Sequence, residues 1–405
     1  MPPTLSPLRR RFRSTAPSLR LPLLLTALLC SLPLSIRAQM PAAPAGQTEI
    51  GVPNFVVFGP EALGLSSSPT DLHFLSDGRI LVTAQREIAF GDGVRWETYR
   101  RLANDQTYIS GQVMVDHDGR IYTGIEGGFA RIDLLEDARW DFRPVANLPK
   151  SQSLDDRGVS AKVCISGDRW YWYGGGSALF TWRPGTDAQA IAHTGATTRV
   201  IAAGAAILVS DQASGQLYRV DLASRQTVNI SPPGTTAVDM VSCSTAFAPG
   251  QWLLGTAGAG LKLFDGITQR PFPAQGVLNS QQSINDLCPV GDGLFAAAVD
   301  TIGIVIFNRE GRIVQLLDRS LDHRLAHVRR LLHSPDGVLW ALLNNGLARL
   351  ELPSPFSDFA PLVPTGLNYA ALVRHDNRLW MLSDSKIQRG VYDPKFRRPP
   401  RGCAG

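Results

Sequence analysis

Hydrophobic and polar residues follow one pattern along this chain, which recurs at intervals of roughly forty residues. Each repeat has an apolar run, a tight glycine turn, a second apolar run, another glycine and an alternating segment that ends in a polar residue. One repeat comprises Val113 to Asp116, the turn at Gly119, Ile121 to Gly124, and Gly128 to Asp133. Alternating segments separated by such turns predict antiparallel β-strands.

Repeats of this length built from short strands are typical of a β-propeller, whose four-stranded blades pack face to face. The pattern predicts eight innermost strands near residues 71–75, 113–116, 162–165, 199–203, 239–243, 285–290, 329–333 and 369–373. We expect Phe55 to Phe58 to complete the last blade of the ring, because an unpaired edge strand invites aggregation.

The predicted fold is therefore all-β, a seven-bladed β-propeller over 55–353 followed by an incomplete eighth repeat over 354–398 and a tail over 399–405. The eighth repeat lacks a recognisable outer strand, which indicates the start of a truncated second propeller. An eight-bladed ring is the alternative.

The first residues of the chain differ from the repeats. Five arginines between Arg9 and Arg20 precede an apolar run from Leu21 to Leu34, which Ile36-Arg37-Ala38 follows. This order predicts a secretory signal peptide over 1–38, with a linker over 39–54. The apolar run is too short to span a bilayer comfortably. We therefore expect a periplasmic or extracellular protein.

The charge balance gives no argument for nucleic acid or an anionic membrane surface as a partner. The signal segment holds six arginines, and without them the 40 basic side chains fall to 34, against 35 acidic ones. A nearly neutral chain gives no reason to expect nucleic acid as a partner.

The cysteines give no pattern of metal ligands, since the sequence has no Cys-x-x-Cys pair. Cys164, Cys243 and Cys288 lie on predicted innermost strands, where we expect small buried hydrophobic residues. The sequence leaves their disulfide state open, as it does for Cys403.

One repeat carries a family resemblance. Gly337-Val338-Leu339-Trp340 and Asn345-Gly346-Leu347-Ala348-Arg349-Leu350 resemble the propeller repeat of two-component regulators, in which a Gly-x-Leu-Trp strand precedes an Asn-Gly-Leu-x-Arg-Leu turn and strand. Residues 90–96, 118–124 and 127–133 fit the same repeat, and the resemblance covers roughly 50 to 393.

The resemblance implies the periplasmic sensor region of a hybrid histidine kinase or a diguanylate cyclase. Such regions usually have two propellers, a small β-sandwich, a membrane helix and a cytoplasmic output domain. Because no such modules follow residue 393 here, we expect an extracytoplasmic ligand-sensing or interaction propeller without its own kinase or cyclase output. It would be a truncated sensor or would act through a partner.

Propellers usually bind ligands at one end of the central channel, where the loops that lead into the innermost strands converge. The aligned candidates at this ring are Asp71, Gln112, Lys162, Arg199, Asp239, Asp286 and Arg330. A ring with both signs of charge favours a polar or zwitterionic ligand such as a sugar derivative. The alternative is that these residues are solvated loop ends or structural ion pairs.

Two other functions stay open. A propeller hydrolase or lyase would hold calcium in the channel, with Asp71, Asp239, Asn285 and Asp286 as ligands. A scaffold would instead bind a periplasmic protein on a flat face of the ring.

Other residue types favour a protein without enzymatic activity and without a cofactor. The histidines His73, His117, His333 and His375 occupy different registers in their repeats, so we do not expect them to converge. No Gly-x-Ser-x-Gly elbow or phosphate-binding loop is present. Trp170, Trp172 and Trp182 crowd one repeat, where blade packing is the main expectation and a carbohydrate-stacking surface the alternative.

Overall fold

The glycine turns of the repeats join strands into antiparallel hairpins, and four strands form each blade. Parallel pairing of Arg100 with Arg139 and of Arg101 with Trp140 joins the first two blades into one eight-stranded sheet. The computed structural model describes residues 51–101, 109–116, 118–125, 128–147, 164–166, 169–174, 178–192, 197–279, 281–291, 293–352, 358, 369–375, 378–383, 386–389 and 401–402. The predicted signal peptide, Lys162 and Cys403 lie outside these residues.

The strands run in chain order from an N-terminal strand through three blades. They are β1 (Phe55–Phe58); in blade 1, β2 (Asp71–Phe74), β3 (Ile80–Thr83), β4 (Glu87–Gly91) and β5 (Trp96–Arg101); in blade 2, β6 (Ile109–Val115), β7 (Ile121–Ile125), β8 (Gly128–Leu134) and β9 (Arg139–Asn147); and in blade 3, β10 (Cys164–Ser166), β11 (Arg169–Gly174), β12 (Ala178–Trp182) and β13 (Gln189–Ile191).

The remaining strands form four more blades and a further sheet. They are, in blade 4, β14 (Thr197–Ala203), β15 (Ala206–Asp211), β16 (Leu217–Asp221) and β17 (Gln226–Asn229); in blade 5, β18 (Val241–Ala248), β19 (Gln251–Thr256), β20 (Leu261–Phe264) and β21 (Gln269–Pro271); in blade 6, β22 (Ile284–Gly291), β23 (Leu294–Val299), β24 (Gly303–Asn308) and β25 (Ile313–Asp318); in blade 7, β26 (Val328–His333), β27 (Val338–Leu343) and β28 (Gly346–Glu351); and in the further sheet, β29 (Tyr369–His375), β30 (Arg378–Ser383), β31 (Ile387–Arg389) and β32 (Arg401–Gly402). Among the described connections, four contain a 3₁₀ helix, at Glu61–Leu63, Ala237–Asp239, Gly276–Asn279 and His323–Ala326.

The N-terminal strand completes the seventh blade. β1 pairs antiparallel with β28, so that the strand order of blade 7 is β1-β28-β27-β26. Phe55 lies opposite Leu350, and Phe58 lies opposite Leu347. The pairing confirms the predicted closing strand, and the seven four-stranded blades confirm the predicted propeller.

The further sheet after blade 7 has the order β29-β30-β31-β32. Its last strand has only two residues, and it pairs Gln388 with Gly402 and Arg389 with Arg401. The expectation that this repeat has no outer strand was therefore wrong for Arg401 and Gly402. These residues follow a proline-containing segment whose sequence does not predict a strand.

The hydrophobic core lies between neighbouring blades. Leu253 and Leu263 of blade 5, for example, pack with Phe295 and Phe307 of blade 6. Burial of apolar faces between blades is the main favourable term for such a fold.

Aromatic side chains fill the interface between blades 2 and 3. Phe129 stacks on Trp182 with ring centroids 4.8 Å apart, and Trp170 lies 4.6 Å from Trp182. Trp170 and Trp182 are both buried. The prediction of blade packing is confirmed for these two tryptophans, while the side chain of Trp172 lies outside the described part.

Two cysteines of the innermost strands are buried free thiols, Cys243 and Cys288. Burial, with a contribution from the nearby Asp286 carboxylate, raises the pKa of Cys288 to about 12. Both thus have the predicted role of small hydrophobic residues.

Three backbone hydrogen bonds, called here the rim hydrogen bonds, join the outer edges of neighbouring blades. The amide of Arg100 donates to the carbonyl of Ala138 (3.0 Å), that of Ala192 to Arg225 (2.9 Å), and that of Gln275 to Gly311 (3.1 Å). The three acceptor residues all have positive φ, at 55°, 55° and 75°. The left-handed turn before the outer strand thus directs a carbonyl to the preceding blade, in blade pairs 1–2, 3–4 and 5–6.

No helix in the described part of the chain is long and apolar enough to cross a membrane.

Candidate functional site

A cavity of about 610 Å³ lies among the innermost strands of six blades, near the residues where these strands begin. We call it the channel cavity. The polar residues that line it are Thr70, Asp71, His73, Arg199, Ser242, Ser244, Asn285, Asp286, Arg329 and Arg330. Four of the seven residues predicted at the channel mouth, Asp71, Arg199, Asp286 and Arg330, are therefore brought together.

Strand register explains why these four residues share one level. Asp71, Arg199, Asp286 and Arg330 each lie opposite the equivalent position of the second strand in their blades, at Thr83, Ser210, Ala298 and Leu342 respectively. Equivalent positions of innermost strands meet around the ring axis, so the side chains converge there.

Asp71 is the most enclosed charged residue of the channel cavity, with a side chain that is only 8% exposed. Its Oδ1 accepts from the amide of Leu72 (2.9 Å) and from Nη1 of Arg330. Its Oδ2 accepts from Nε2 of His73 (2.9 Å) and from the amide of Val113 in blade 2 (3.4 Å). Burial alone would raise the pKa of Asp71, but Arg330 and His73 more than offset burial and lower it well below its usual range.

Asp286 repeats the same backbone contacts in blade 6. Its Oδ1 accepts from the amide of Leu287 (3.0 Å), and its Oδ2 accepts from the amide of Leu331 in blade 7 (2.8 Å). Each aspartate thus binds its own strand and the innermost strand of the next blade. Such bonds hold two blades in register at the cavity.

Arg330 lies between the two aspartates. Burial opposes its charge, yet the carboxylates of Asp71 and Asp286 outweigh burial, so the pKa of Arg330 is raised. The guanidinium therefore stays protonated at any physiological pH.

The other two arginines of the cavity bind backbone carbonyls. Arg199 donates from Nη1 to the carbonyl of Ser242 (3.2 Å). Arg329 donates to the carbonyls of Pro69 (3.3 Å) and Thr70 (3.4 Å). In the part of the chain that the structure describes, neither forms an ion pair with a carboxylate.

The structure places Asp239 elsewhere. Asp239 ends the 3₁₀ helix Ala237–Asp239, where it accepts from Nζ of Lys262 (2.7 Å) and from the amide of Thr236 (2.9 Å). The residue at the register of Asp71 is Cys243, which lies opposite Gly255 after a bulge in β18. Cys243 lies seven residues before the turn glycine Gly250, the spacing that Asp286 and Arg330 have from Gly293 and Gly337, whereas Asp239 lies eleven residues before it. Cys243 therefore holds the ring position that was predicted for Asp239.

The two remaining candidates cannot be placed in the cavity. Gln112 lies on β6, next to the cavity residue Val113, but its side chain is outside the described part. Lys162 is not among the described residues at all.

Sequence reasoning missed His73, which had been set aside because the histidines occupy different registers. His73 lies two residues after Asp71 on β2, and side chains two apart on a strand point to the same face. The period of two was therefore the signal that could have placed His73 beside Asp71 in the channel.

Of the four residues of the calcium alternative, Asp71, Asn285 and Asp286 line the cavity and Asp239 does not. Asp239 is paired with Lys262, Asp71 is paired with Arg330, and Asn285 donates from Nδ2 to the carbonyl of Val328 (3.0 Å). Among the residues that the structure describes, no three or more His, Cys, Asp or Glu side chains are placed to hold a metal ion.

Solved structures with the same fold include extracellular domains of two-component systems. The extracellular domain of the hybrid two-component system BT3049 from B. thetaiotaomicron is 15% identical, with a TM-score of 0.60 over 84% of this chain and 48% of that chain. A streptogramin B lyase is 12% identical, with a TM-score of 0.55 over 73% of this chain and 97% of that one. YCF48 bound to a D1 peptide is 11% identical, with a TM-score of 0.54 over 75% of this chain and 99% of that chain.

These likenesses establish the propeller fold, and they include the class of extracellular two-component domains that the repeat resembles. The chain spans about half the length of those domains. No protein-family model and no curated relative matches the sequence.

Proposed function

We propose that this chain is an exported sensing propeller whose channel cavity binds a small polar ligand. The observation that carries the proposal is the convergence of Asp71, His73, Arg199 and Arg330 on one cavity of about 610 Å³. Cavities of roughly 300–1,000 Å³ with a few convergent polar groups are the usual sites for small molecules.

The preorganisation of the cavity supports binding. His73 and Arg330 both donate to Asp71, and the backbone amides of Leu72 and Val113 also fix its carboxylate. A ligand that meets such fixed groups loses little free energy in ordering the protein.

Export and signalling complete the proposal. The predicted signal peptide over 1–38 would deliver the propeller to the periplasm or the extracellular space. Because propellers of this class serve as extracellular domains in two-component systems such as BT3049, we propose that ligand binding here is passed to an output protein or domain. That the chain is not an enzyme stays a prediction.

The proposal is tested by the thermal stability of the purified chain in the presence of neutral, acidic and amino sugars and free amino acids at millimolar concentration. Ala202→Phe fills the cavity, since Ala202 lines it, whereas Val228→Phe adds the same ring on an exposed part of the same blade. We expect at least one compound to raise the melting temperature of the wild type and of Val228→Phe but not of Ala202→Phe. Stabilisation of both variants alike, or by no compound, would contradict the proposal.

A further inference from the structure

We infer that the ligand of the channel cavity carries a carboxylate, and that Arg199 binds it. This inference rests on the proposed function and adds the chemical class of the ligand. It follows from an inventory of the hydrogen-bond donors and acceptors that line the cavity.

The acceptors of the cavity are largely committed within the protein. Asp71 accepts from two backbone amides, His73 and Arg330. Asp286 accepts from the amides of Leu287 and Leu331, and its charge also faces Arg330. A carboxylate has about four lone-pair positions. A ligand rich in donors therefore finds few acceptors there.

The donors of the cavity are in surplus. The guanidinium of Arg199 uses Nη1 for the carbonyl of Ser242, and its other N–H groups have no partner among the described residues. Arg330 directs Nη1 to Asp71, which leaves Nε and Nη2. Buried or half-buried guanidinium donors favour ligands that supply oxygen acceptors.

The charges of the described lining residues agree with this inventory. Three arginines, Arg199, Arg329 and Arg330, face two aspartates, Asp71 and Asp286. Because Arg330 is already paired with Asp71, its charge is largely neutralised, whereas Arg199 has no such partner in the described part of the chain. The anionic end of the ligand is therefore assigned to Arg199, which can bind a carboxylate through two parallel hydrogen bonds.

The ring geometry gives the ligand a direction. Arg199 lies on blade 4, and the cluster of Asp71, His73 and Arg330 lies where blades 7 and 1 meet. In a ring of seven blades these positions are on opposite sides of the channel. A carboxylate at Arg199 thus leaves the hydroxyl-bearing part of a ligand facing the cluster, which suits an acidic sugar.

The test compares matched acidic and neutral probes by isothermal titration calorimetry: D-glucuronate with D-glucose, and D-galacturonate with D-galactose. We expect an acid to bind, and to bind roughly ten- to hundredfold more tightly than its neutral partner. Arg199→Gln should remove that preference, and Arg199→Lys should restore only part of it because an ammonium lacks the paired geometry. Arg219→Gln is the matched control, since Arg219 is exposed in the same blade.

The outcomes separate this inference from the proposed function. Equal binding of acid and neutral sugar, abolished by Ala202→Phe, overturns the carboxylate assignment while the cavity remains the site. Acid binding that Arg199→Gln leaves unchanged overturns the role of Arg199. Absence of acid binding overturns the inference even if the wider panel of compounds contains a ligand. Unchanged circular dichroism and cooperative melting of Arg199→Gln show that any loss is not a failure to fold.

Discussion

Asp71 and Arg330 form an ion pair that joins the first blade of the ring to the last, although 259 residues separate them in the chain. The same pair faces the channel cavity. One contact therefore contributes to ring closure and to the charge pattern of the candidate site.

Arg330→Met should destabilise the fold by about 2 kcal/mol. The substitution leaves Asp71 buried with one fewer partner, although His73 and two amides still bind it. The exposure of the Arg330 side chain, 37%, keeps the expected loss below that of a fully buried pair. Urea unfolding followed by fluorescence measures the change.

The neighbouring substitution Arg329→Met is the control for Arg330→Met. Arg329 is exposed and donates only to backbone carbonyls, so we expect a loss below about 1 kcal/mol. Equal losses for the two variants would contradict a specific role for the Asp71–Arg330 pair.

Asp71 should make the fold sensitive to acid. Because the pKa of Asp71 is lower in the folded chain than in the unfolded chain, ionised Asp71 stabilises the fold above about pH 4. That contribution is lost as the pH falls toward the folded-state pKa. Asp71→Asn should therefore have a lower melting temperature than the wild type at pH 7. The difference between the two melting temperatures should become smaller between about pH 5 and pH 3.

The same pH series in the Arg330→Met background tests the cause of this acid sensitivity. Arg330 is a main reason for the low pKa of Asp71, so the narrowing should be smaller when Arg330 is absent. A difference between wild type and Asp71→Asn that is constant with pH would show that Asp71 does not titrate as described.

Phe58→Ala should weaken the closure of the ring by about 2–4 kcal/mol. Phe58 lies on the closing strand β1, and its ring packs 5.9 Å from Trp96 of blade 1 and 6.4 Å from Trp340 of blade 7. Val56→Ala on the same strand is the control, because Val56 is 44% exposed and should lose less than about 1 kcal/mol. Thermal unfolding compares the two; similar melting temperatures would count against the role of Phe58.

Gly311→Ala should destabilise the contact between blades 5 and 6 by several degrees of melting temperature. A Cβ at Gly311 would lie 2.5 Å from the carbonyl oxygen of Pro273 in the preceding blade. Gly250→Ala is the matched control, since Gly250 has nearly the same φ (72° against 75°) and no atom within 4 Å of the added Cβ. Both substitutions place an alanine at a similar positive φ, so the backbone strain is common to the two variants. Equal decreases in melting temperature would therefore exclude the steric clash with Pro273 as the cause.

Much of the fold could be predicted from the sequence, because each blade repeats the same local sequence pattern of apolar strands and glycine turns. The closing strand at Phe55 to Phe58 was predictable for a similar reason, since a ring cannot leave an edge unpaired. The rim hydrogen bonds were not predictable, because Ala138 and Arg225 are ordinary residues in left-handed turns.

The site could be predicted only in part. Asp71, Arg199, Asp286 and Arg330 share a register that follows from counting back from the turn. Asp239 was misplaced because it lies eleven residues before Gly250, whereas the count of seven that places Asp71, Asp286 and Arg330 leads to Cys243. The ion pair between Asp71 and Arg330 forms only if blade 7 is the last blade of the ring. The local sequence pattern does not specify the number of blades, so it could not predict this pair.

The closing strand also has a consequence for the order in which the chain folds. Phe58 pairs with Leu347, so β1 waits for a partner that lies 289 residues further along the chain. Until then β1 is a free edge, and blade 7 has only three strands of its own. Late pairing of this kind slows folding and exposes strand edges to other chains. The propeller is therefore most vulnerable to misassembly until its final blade has formed and paired with β1.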